Sequence, residues 1–131
     1  MIKKIAFVNF RSKSDDTSED VRFWHELLGL KLVQNYHDGR WVELEAPDGK
    51  TIAIESYSPE GSPPGLALET DDIEAEVARL KEAGVVFHGD VQDNKVCKMA
   101  FCMTPSGHTL MLHQIAPERA ANPEDLSAIE G

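Results

Sequence analysis

The sequence is poor in basic residues, with 13 Lys and Arg against 23 Asp and Glu, and its formal net charge is −10. Electrostatic binding to phosphate backbones or anionic lipids requires clustered Lys and Arg, so we expect no nucleic-acid and no membrane partner. Hydrophobic residues make up 41% of the 131 positions, which is enough apolar material for the core of one domain.

Long apolar runs and a cysteine framework are also missing. The apolar run that follows Lys3 and Lys4 covers only Ile5–Phe10, which is too short for the ~7–15-residue hydrophobic region of a signal peptide. The two cysteines, Cys97 and Cys102, lie in one predicted strand, where alternation places them on opposite faces and disfavours a disulfide. We therefore expect a cytoplasmic protein with reduced thiols.

The first half of the chain predicts the element order βαβββ. A strand is expected over residues 3–10, and a helix from the N-cap candidates at 15–18 to about Leu28, where Gly29 ends it. Turn residues then separate three short strands, which we place at Lys31–Tyr36, Arg40–Glu45 and Thr51–Tyr57.

The second half predicts the same order after a connector rich in proline and glycine, Pro59–Pro64. The helix is the best specified element, because Ile73, Val77 and Leu80 share one face and acidic residues precede basic ones. The four strands of this half are predicted at Gly65–Glu69, Val85–His88, Val96–Met103 and Thr109–Gln114.

An internal repeat links the two halves. The segment Ala46–Glu55 matches Thr104–His113 in turn and strand pattern, 58 positions later. We therefore predict one domain over residues 1–115, made of modules 3–58 and 64–114, followed by an acidic tail at 116–131.

The tandem βαβββ order, the helix Val21–Leu30, the run Leu66–Ile73 and the turn Thr104–His108 resemble the vicinal oxygen chelate superfamily. This group includes glyoxalases, bleomycin resistance proteins and extradiol dioxygenases. The resemblance covers residues 3–114 and implies an α+β fold, in which two βαβββ modules form a curved, incomplete mixed β-barrel with helices outside. It also implies a homodimer, because paired units of this family often complete their half-barrels across a two-fold axis.

Metal-dependent members of this family bind a divalent cation through a His or Gln on the first strand of each unit and a Glu on the last. The matching positions here hold Phe7, Ala53, Gly65 and Met111. Three of these side chains have no lone pair to offer, and a thioether is a soft ligand that suits Cu(I) better than Zn, Ni, Mn or Fe(II). We therefore expect no metal and no cofactor.

Strand alternation predicts the lining of the concave face, since residues two apart point to the same side. Aromatic and Met side chains with a few polar groups suit a flat aromatic ligand, and the acidity favours a cationic one. Two alternatives stay open: the Met and Phe cluster forms plain core or a dimer interface, and Glu43 and Glu45 form a solvated rim. The predicted ligand-binding residues are Phe7, Asn9, Trp41, Glu43, Tyr57, Met99, Phe101, Met103 and Met111.

The repeat makes Glu55 and His113 equivalent, each two residues beyond a vacated ligand position. The sequence favours a binding protein that sequesters a small molecule. The alternative is a lyase, isomerase or epimerase that uses Glu55 and His113 as acid and base, or as non-standard metal ligands with Asn9. A third possibility is a degenerate domain whose main product is its own dimer. Cys102, with the parity of a packed residue, is expected to be inert.

Overall fold

The computed structural model describes residues 1–116, so the tail predicted at 116–131 lies outside the described residues except for Ala116. Two α-helices, one π-helical turn and eight strands occur within the described part of the chain. In chain order they are β1 (Ile2–Arg11), α1 (Ser18–Arg22), the π-helical turn (Phe23–Leu27), β2 (Lys31–Tyr36), β3 (Trp41–Glu45), β4 (Thr51–Glu55), β5 (Gly65–Thr70), α2 (Ile73–Glu82), β6 (Gln92–Asp93), β7 (Cys97–Met103) and β8 (Thr109–Ile115).

The chain divides into two compact units. We call Phe7–Pro64 the N-terminal unit, and Met1–Ala6 together with the described residues 65–116 the C-terminal unit. The strand β1 is therefore shared, because its first residues belong to the C-terminal unit and its last five to the N-terminal unit.

The N-terminal unit has the strand order β2-β3-β4-β1. Strands β1 and β4 are parallel, with Arg11 opposite Glu55, and the other pairs are antiparallel. The core forms around Val42, Leu44 and Ile54, and the partly buried residues that pack on it come from β1, the helical segment and β4. This confirms that Ile54 packs under the helix, as alternation predicted. The packing residues are Phe10, Val21, Trp24, Leu30 and Ile52.

The C-terminal unit repeats this plan with the order β5-β8-β7-β6. Strands β5 and β8 are parallel and β7 is antiparallel to both of its neighbours. Its core joins Ile73 and Val77 of α2 to Ala100 and Leu112 of the sheet. The carboxylate of Asp72 caps α2 by accepting a hydrogen bond of 3.1 Å from the backbone N–H of Ala75.

The first helix differs from the expectation of a regular helix up to Leu28. It is α-helical only over Ser18–Arg22 and then widens into a π-helical turn, where the N–H of Leu28 donates to the carbonyl of Phe23 at 3.0 Å. The widening coincides with two adjacent aromatics: Trp24 packs on Phe10 with 5.2 Å between ring centroids, and Phe23 meets Trp24 edge-on. Packing of Trp24 into the core thus accompanies the local change of helical pitch.

The strand expected at Val85–His88 is the main error in the second half. Phe87 forms only an isolated bridge to Cys102, and the short strand β6 lies further on at Gln92–Asp93. Gly89, with a φ of 82°, turns the chain away directly after His88, so the pairing does not continue. The other strands match their predicted ranges closely, although β4 ends before Tyr57.

The predicted fold class is confirmed: the fold is α+β, with two βαβββ modules in tandem and a mixed sheet. The duplicated order survives the displacement of β6, because one short strand still separates α2 from β7. No helix within residues 1–116 is long and apolar enough to cross a membrane.

Candidate functional site

Glu55 ends β4 in the N-terminal unit, and its carboxylate holds the following loop. The side chain is buried, with 1% exposure of the residue, and one oxygen accepts from the backbone N–H groups of Tyr57 and Ser58 at 2.8 and 2.9 Å. The other oxygen accepts from the Ser58 hydroxyl at 2.8 Å and from the Asn9 amide at 3.3 Å. Both oxygens are therefore engaged in four hydrogen bonds that fix the end of the strand.

Arg11, opposite Glu55 on β1, is also engaged with backbone. Its guanidinium donates to the carbonyls of Ser12, Ser14 and Ser58 at 2.9, 2.8 and 2.7 Å, and its side chain is only 4% exposed. The contact with Asp15 at 3.1 Å is its ion pair. Arg11 and the Glu55 opposite it therefore both stabilise loops, since each side chain forms hydrogen bonds with backbone groups of the loops.

An aromatic group lies on the same face of this unit. Phe7 is buried and meets Trp41 edge-on, with 5.3 Å between the ring centroids. The indole N–H of Trp41 donates to the Glu43 carboxylate at 2.8 Å, so an anionic group sits beside the rings. Tyr57 lies past the end of β4, is 47% exposed, and has the Arg40 guanidinium 4.1 Å from its ring centroid.

The four positions that the family resemblance predicts as metal ligands carry no suitable donor. Phe7, Ala53 and Met111 are buried, and Gly65 has no side chain. Within residues 1–116 no group of three His, Cys, Asp or Glu side chains is arranged to hold a metal ion. The residues present do not fit the family's metal, and the absence of a metal in the protein itself stays a prediction.

His113 finds its carboxylate partner within the C-terminal unit. Its Nδ1 lies 2.6 Å from Oε1 of Glu69, and the other oxygen of Glu69 accepts from the backbone N–H of Ile115 at 2.8 Å. The parallel register of β5 and β8 places Glu69 directly opposite His113, and each of these two side chains is 13% exposed. The sequence paired His113 with Glu55 and missed Glu69, which the pairing of first and last strands in each module would have indicated.

The environment of His113 raises its pKa to about 9. Burial by itself lowers the pKa of His113, but its interactions with Cys97 and with the Glu69 carboxylate raise the pKa by more. The imidazole is therefore protonated at neutral pH, so it serves as a proton donor rather than as a free base.

The remaining predicted residues lie on β7 and β8 of this unit. Met99, Phe101 and Met103 are half-buried and alternate with the buried Ala100 and Cys102, as predicted. Met99 is opposite His113, and Phe101 is opposite Met111. Burial raises the pKa of the Cys102 thiol, which agrees with its expected inertness.

A cavity of about 350 Å³ opens in the N-terminal unit, away from every residue predicted for the site. Its lining includes the carboxylate residues Asp15, Asp16 and Asp38 and the core residue Val42. Gln34 also lines it and is buried, and its Oε1 has no hydrogen-bond partner among the described residues. Sequence reasoning missed this cavity because Asp15 and Asp16 are also ordinary helix-capping residues.

Fold and site together define a duplicated βαβββ protein whose family metal positions are apolar. The chain matches the family described as Glyoxalase/Bleomycin resistance protein/Dioxygenase superfamily over residues 10–112. It belongs to this superfamily, which confirms the resemblance drawn from the sequence.

Individual relatives are more distant. Glutathione transferase FosA from Serratia marcescens is 29% identical over 105 residues, which cover 75% of this chain and 72% of that protein. Methylmalonyl-CoA epimerase from Mycobacterium tuberculosis is 21% identical with a TM-score of 0.72, covering 92% of this chain and 93% of that one. A superfamily member from Vibrio splendidus 12B01 is 19% identical with a TM-score of 0.62, covering 88% and 100%. The structural likenesses support the fold.

Proposed function

We propose that this chain binds a small organic molecule on the face of the N-terminal unit that carries the aromatic side chains, without the divalent metal of its relatives. The observation that carries the proposal is the replacement of the ligand positions by Phe7, Ala53, Gly65 and Met111. A superfamily scaffold without hard donors retains a shaped surface for a ligand but lacks the Lewis acid of the metal-dependent chemistry.

The proposed ligand is flat, aromatic and cationic. Phe7 and Trp41 offer ring surface, and the Glu43 carboxylate beside the indole favours positive charge. The family description includes bleomycin resistance proteins, and one relative is a glutathione transferase, which supports a small-molecule ligand.

Metal binding is tested by dialysing the purified protein against Mn²⁺, Ni²⁺ and Zn²⁺ and measuring metal content per chain. We expect well below one equivalent of each metal after removal of free ions. One tightly held metal ion per chain would refute the metal-free proposal.

Ligand binding is tested with rhodamine 6G, a flat aromatic cation, and fluorescein, an aromatic anion of similar size. We expect rhodamine 6G to bind and fluorescein to bind at least about tenfold more weakly. Trp41→Leu should weaken rhodamine 6G binding by about tenfold, because it removes an aromatic surface. Phe23→Leu is the matched control, since Phe23 is exposed on the π-helical turn. Equal binding of both dyes, or no loss in Trp41→Leu, would contradict the proposal.

A second candidate is a proton-transfer enzyme of the lyase, isomerase or epimerase type, and the hydrogen bond between His113 and Glu69 favours it. In this function the Glu69 carboxylate, in place of the expected Glu55, takes the α-proton as the base, and protonated His113 donates to the carbonyl oxygen as the acid. The name of the epimerase neighbour indicates a CoA thioester as a substrate to test.

The enzyme candidate is tested by incubating the protein with methylmalonyl-CoA in D₂O and following loss of the α-proton signal by NMR. Exchange catalysed by His113 should disappear in His113→Asn and persist in Glu55→Asp. If the unaltered protein catalyses no exchange, methylmalonyl-CoA is excluded as its substrate.

The predicted homodimer and cytoplasmic location remain part of the proposal. Sedimentation at several protein concentrations tests the dimer, which would appear as a mass of twice 14.5 kDa. A monomer at all concentrations would contradict it.

A further inference from the structure

The cavity of about 350 Å³ in the N-terminal unit lies between the segment that precedes α1 and the turn that joins β2 to β3. Part of its lining is apolar, because Val21, Leu32 and the buried Val42 belong to it. Pockets for small molecules commonly measure about 300–1,000 Å³, so this volume suits a ligand at the small end of that range.

Hydrogen bonds around Gly39 join the two sides of this cavity. The hydroxyl of Thr17 donates to the carbonyl of Gly39, and the side-chain oxygen of Asn35 accepts from the N–H of Gly39 at 2.8 Å. These bonds tie the turn to the segment before α1 and to β2. The chain itself therefore fixes the walls of the cavity.

Two of the three acids on the rim carry a charge that no basic side chain within residues 1–116 neutralises. Asp15 pairs with Arg11 at 3.1 Å, whereas Asp16 and Asp38 form no ion pair in this part of the chain. Hydrogen bonds from the hydroxyl and the backbone N–H of Ser18 lower the pKa of Asp16, so this carboxylate is ionised at neutral pH. An anionic rim attracts a cation and repels an anion.

Gln34 adds a hydrogen-bond acceptor to the lining of the same cavity. It lies at a bulge, where the register of β2 against β3 shifts, and a bulge bends its strand and redirects side chains. Gln34 is 8% exposed, and its Oε1 has no hydrogen-bond partner within residues 1–116. A buried acceptor without a donor lowers the stability of the folded state, so its presence indicates a donor that comes from outside the chain.

We propose that this cavity binds a small primary ammonium ion with an apolar body. The ammonium group donates hydrogen bonds to the Asp38 carboxylate and to Oε1 of Gln34, and the hydrocarbon part packs on Val21 and Val42. A metal ion is a poorer match, because no group of three His, Cys, Asp or Glu side chains within residues 1–116 is arranged to hold one. This site is separate from the aromatic face proposed above and does not rest on that proposal.

The test uses cyclohexylamine, which is an ammonium ion at neutral pH, with cyclohexanol and cyclohexanecarboxylate as neutral and anionic molecules of similar shape. Titration of the ¹⁵N-labelled full chain, followed through its backbone amide signals by NMR, gives the dissociation constant and the position of the bound probe. We expect the largest shifts at lining residues such as Gly39, and binding of the other two molecules at least about tenfold weaker. Shifts confined to other parts of the chain, or equal binding of the three molecules, would overturn the proposal.

Two variants separate the charge from the buried acceptor. Asp38→Asn should weaken cyclohexylamine binding by about fivefold, whereas Asp90→Asn, which removes an exposed acid of the C-terminal unit, should leave it unchanged. Gln34→Leu should weaken binding by about tenfold. It should not lower the free energy of unfolding, because an apolar side chain of similar size replaces an unpaired polar one.

A probe without N–H groups tests the hydrogen bonds directly in the unaltered protein. Cyclohexyltrimethylammonium has the charge of cyclohexylamine but no donor, so we expect it to bind about tenfold more weakly. Equal binding of these two cations, or unchanged binding of cyclohexylamine in Gln34→Leu, would overturn the proposal.

Trp41→Leu distinguishes the cavity from the aromatic face. Trp41 does not line the cavity, so this variant should bind cyclohexylamine as the unaltered protein does. Binding that is lost in Trp41→Leu but retained in Asp38→Asn would place the amine on the aromatic face and overturn the cavity site. Failure of rhodamine 6G to bind would leave the result for the cavity unaffected.

Discussion

The two units carry residues of opposite charge in reversed order at equivalent strand positions. In the N-terminal unit the base Arg11 is on the first strand and the acid Glu55 on the last, whereas in the C-terminal unit the acid Glu69 is on the first strand and the base His113 on the last. Each position is 58 residues from its counterpart.

The pairs differ because the chain continues differently after each last strand. After Glu55 the backbone folds back, and the N–H groups of Tyr57 and Ser58 occupy the carboxylate. After His113 the strand runs on to Ile115, so the imidazole remains paired with Glu69 and next to Cys97. Of the two equivalent positions, Glu55 fixes the loop that follows its strand, whereas His113 holds a proton that it can exchange.

The variant Glu55→Ala tests the structural role of the Glu55 carboxylate, and we expect it to have the largest effect. The variant leaves several buried donors without an acceptor, and we expect the free energy of unfolding to fall by about 3–4 kcal/mol. Urea denaturation measures the change. Glu60→Gln, an exposed acid in the next loop, should change stability by less than about 0.5 kcal/mol. If Glu55→Ala lowers the free energy of unfolding by less than about 1 kcal/mol, the roles of Glu55 and His113 differ less than their hydrogen bonds indicate.

The exchangeable proton is tested by the pH dependence of stability. The folded state holds the proton of His113 up to a pKa of about 9, whereas an unfolded histidine releases it near 6.5. The stabilisation is therefore fully present below pH 6.5 and is lost as the pH rises through 9. Relative to His113→Gln, the free energy of unfolding should fall by up to roughly 3 kcal/mol over this interval.

Urea denaturation at several pH values gives this comparison, and His88→Gln is the control for losing a histidine that is exposed. Parallel pH profiles for the unaltered protein and His113→Gln would contradict the raised pKa.

The N-terminal caps of the two helices also differ, and here we expect the smallest effect on stability. Asp72 caps α2 with a side-chain hydrogen bond, whereas the Thr17 hydroxyl at the start of α1 makes no capping bond and donates to the Gly39 carbonyl instead. Asp72→Ala should therefore lower the free energy of unfolding by about 1 kcal/mol, and Asp72→Asn, which retains a capping oxygen, should restore most of it. Equal stabilities of these two variants would show that the cap contributes little. Thermal denaturation resolves the difference.

Much of the fold follows from local patterns. The turns at Gly49 and Gly107 have φ values of 85° and 88°, and the same turn residues precede the same alternating strand in both halves. Alternation also identified the packed faces, because Ile54 and Leu112 are both almost fully buried. Local patterns failed at Val85–His88, where strand propensity could not reveal that Gly89 ends the pairing after one bridge.

The site was less predictable, since partners depend on strands that are distant in sequence. Asn9 and Glu55 were proposed together and do form a hydrogen bond. The hydrogen bonds of Glu55 to its own loop follow from backbone positions that no residue pattern specifies. The same holds for Gln34 beside the cavity, whose Oε1 has no partner within residues 1–116.

The sequence by itself determined the duplicated βαβββ order, the acidic charge and the loss of hard ligands at four positions, because periodicity, composition and residue type are local properties. Only the tertiary structure decided that His113 is paired with Glu69 and Cys97. That pairing depends on the parallel register of β5 against β8 and the antiparallel register of β7, which bring together residues 16 to 44 positions apart. The proton affinity of His113, and with it the chemistry of the C-terminal unit, is a consequence of that register.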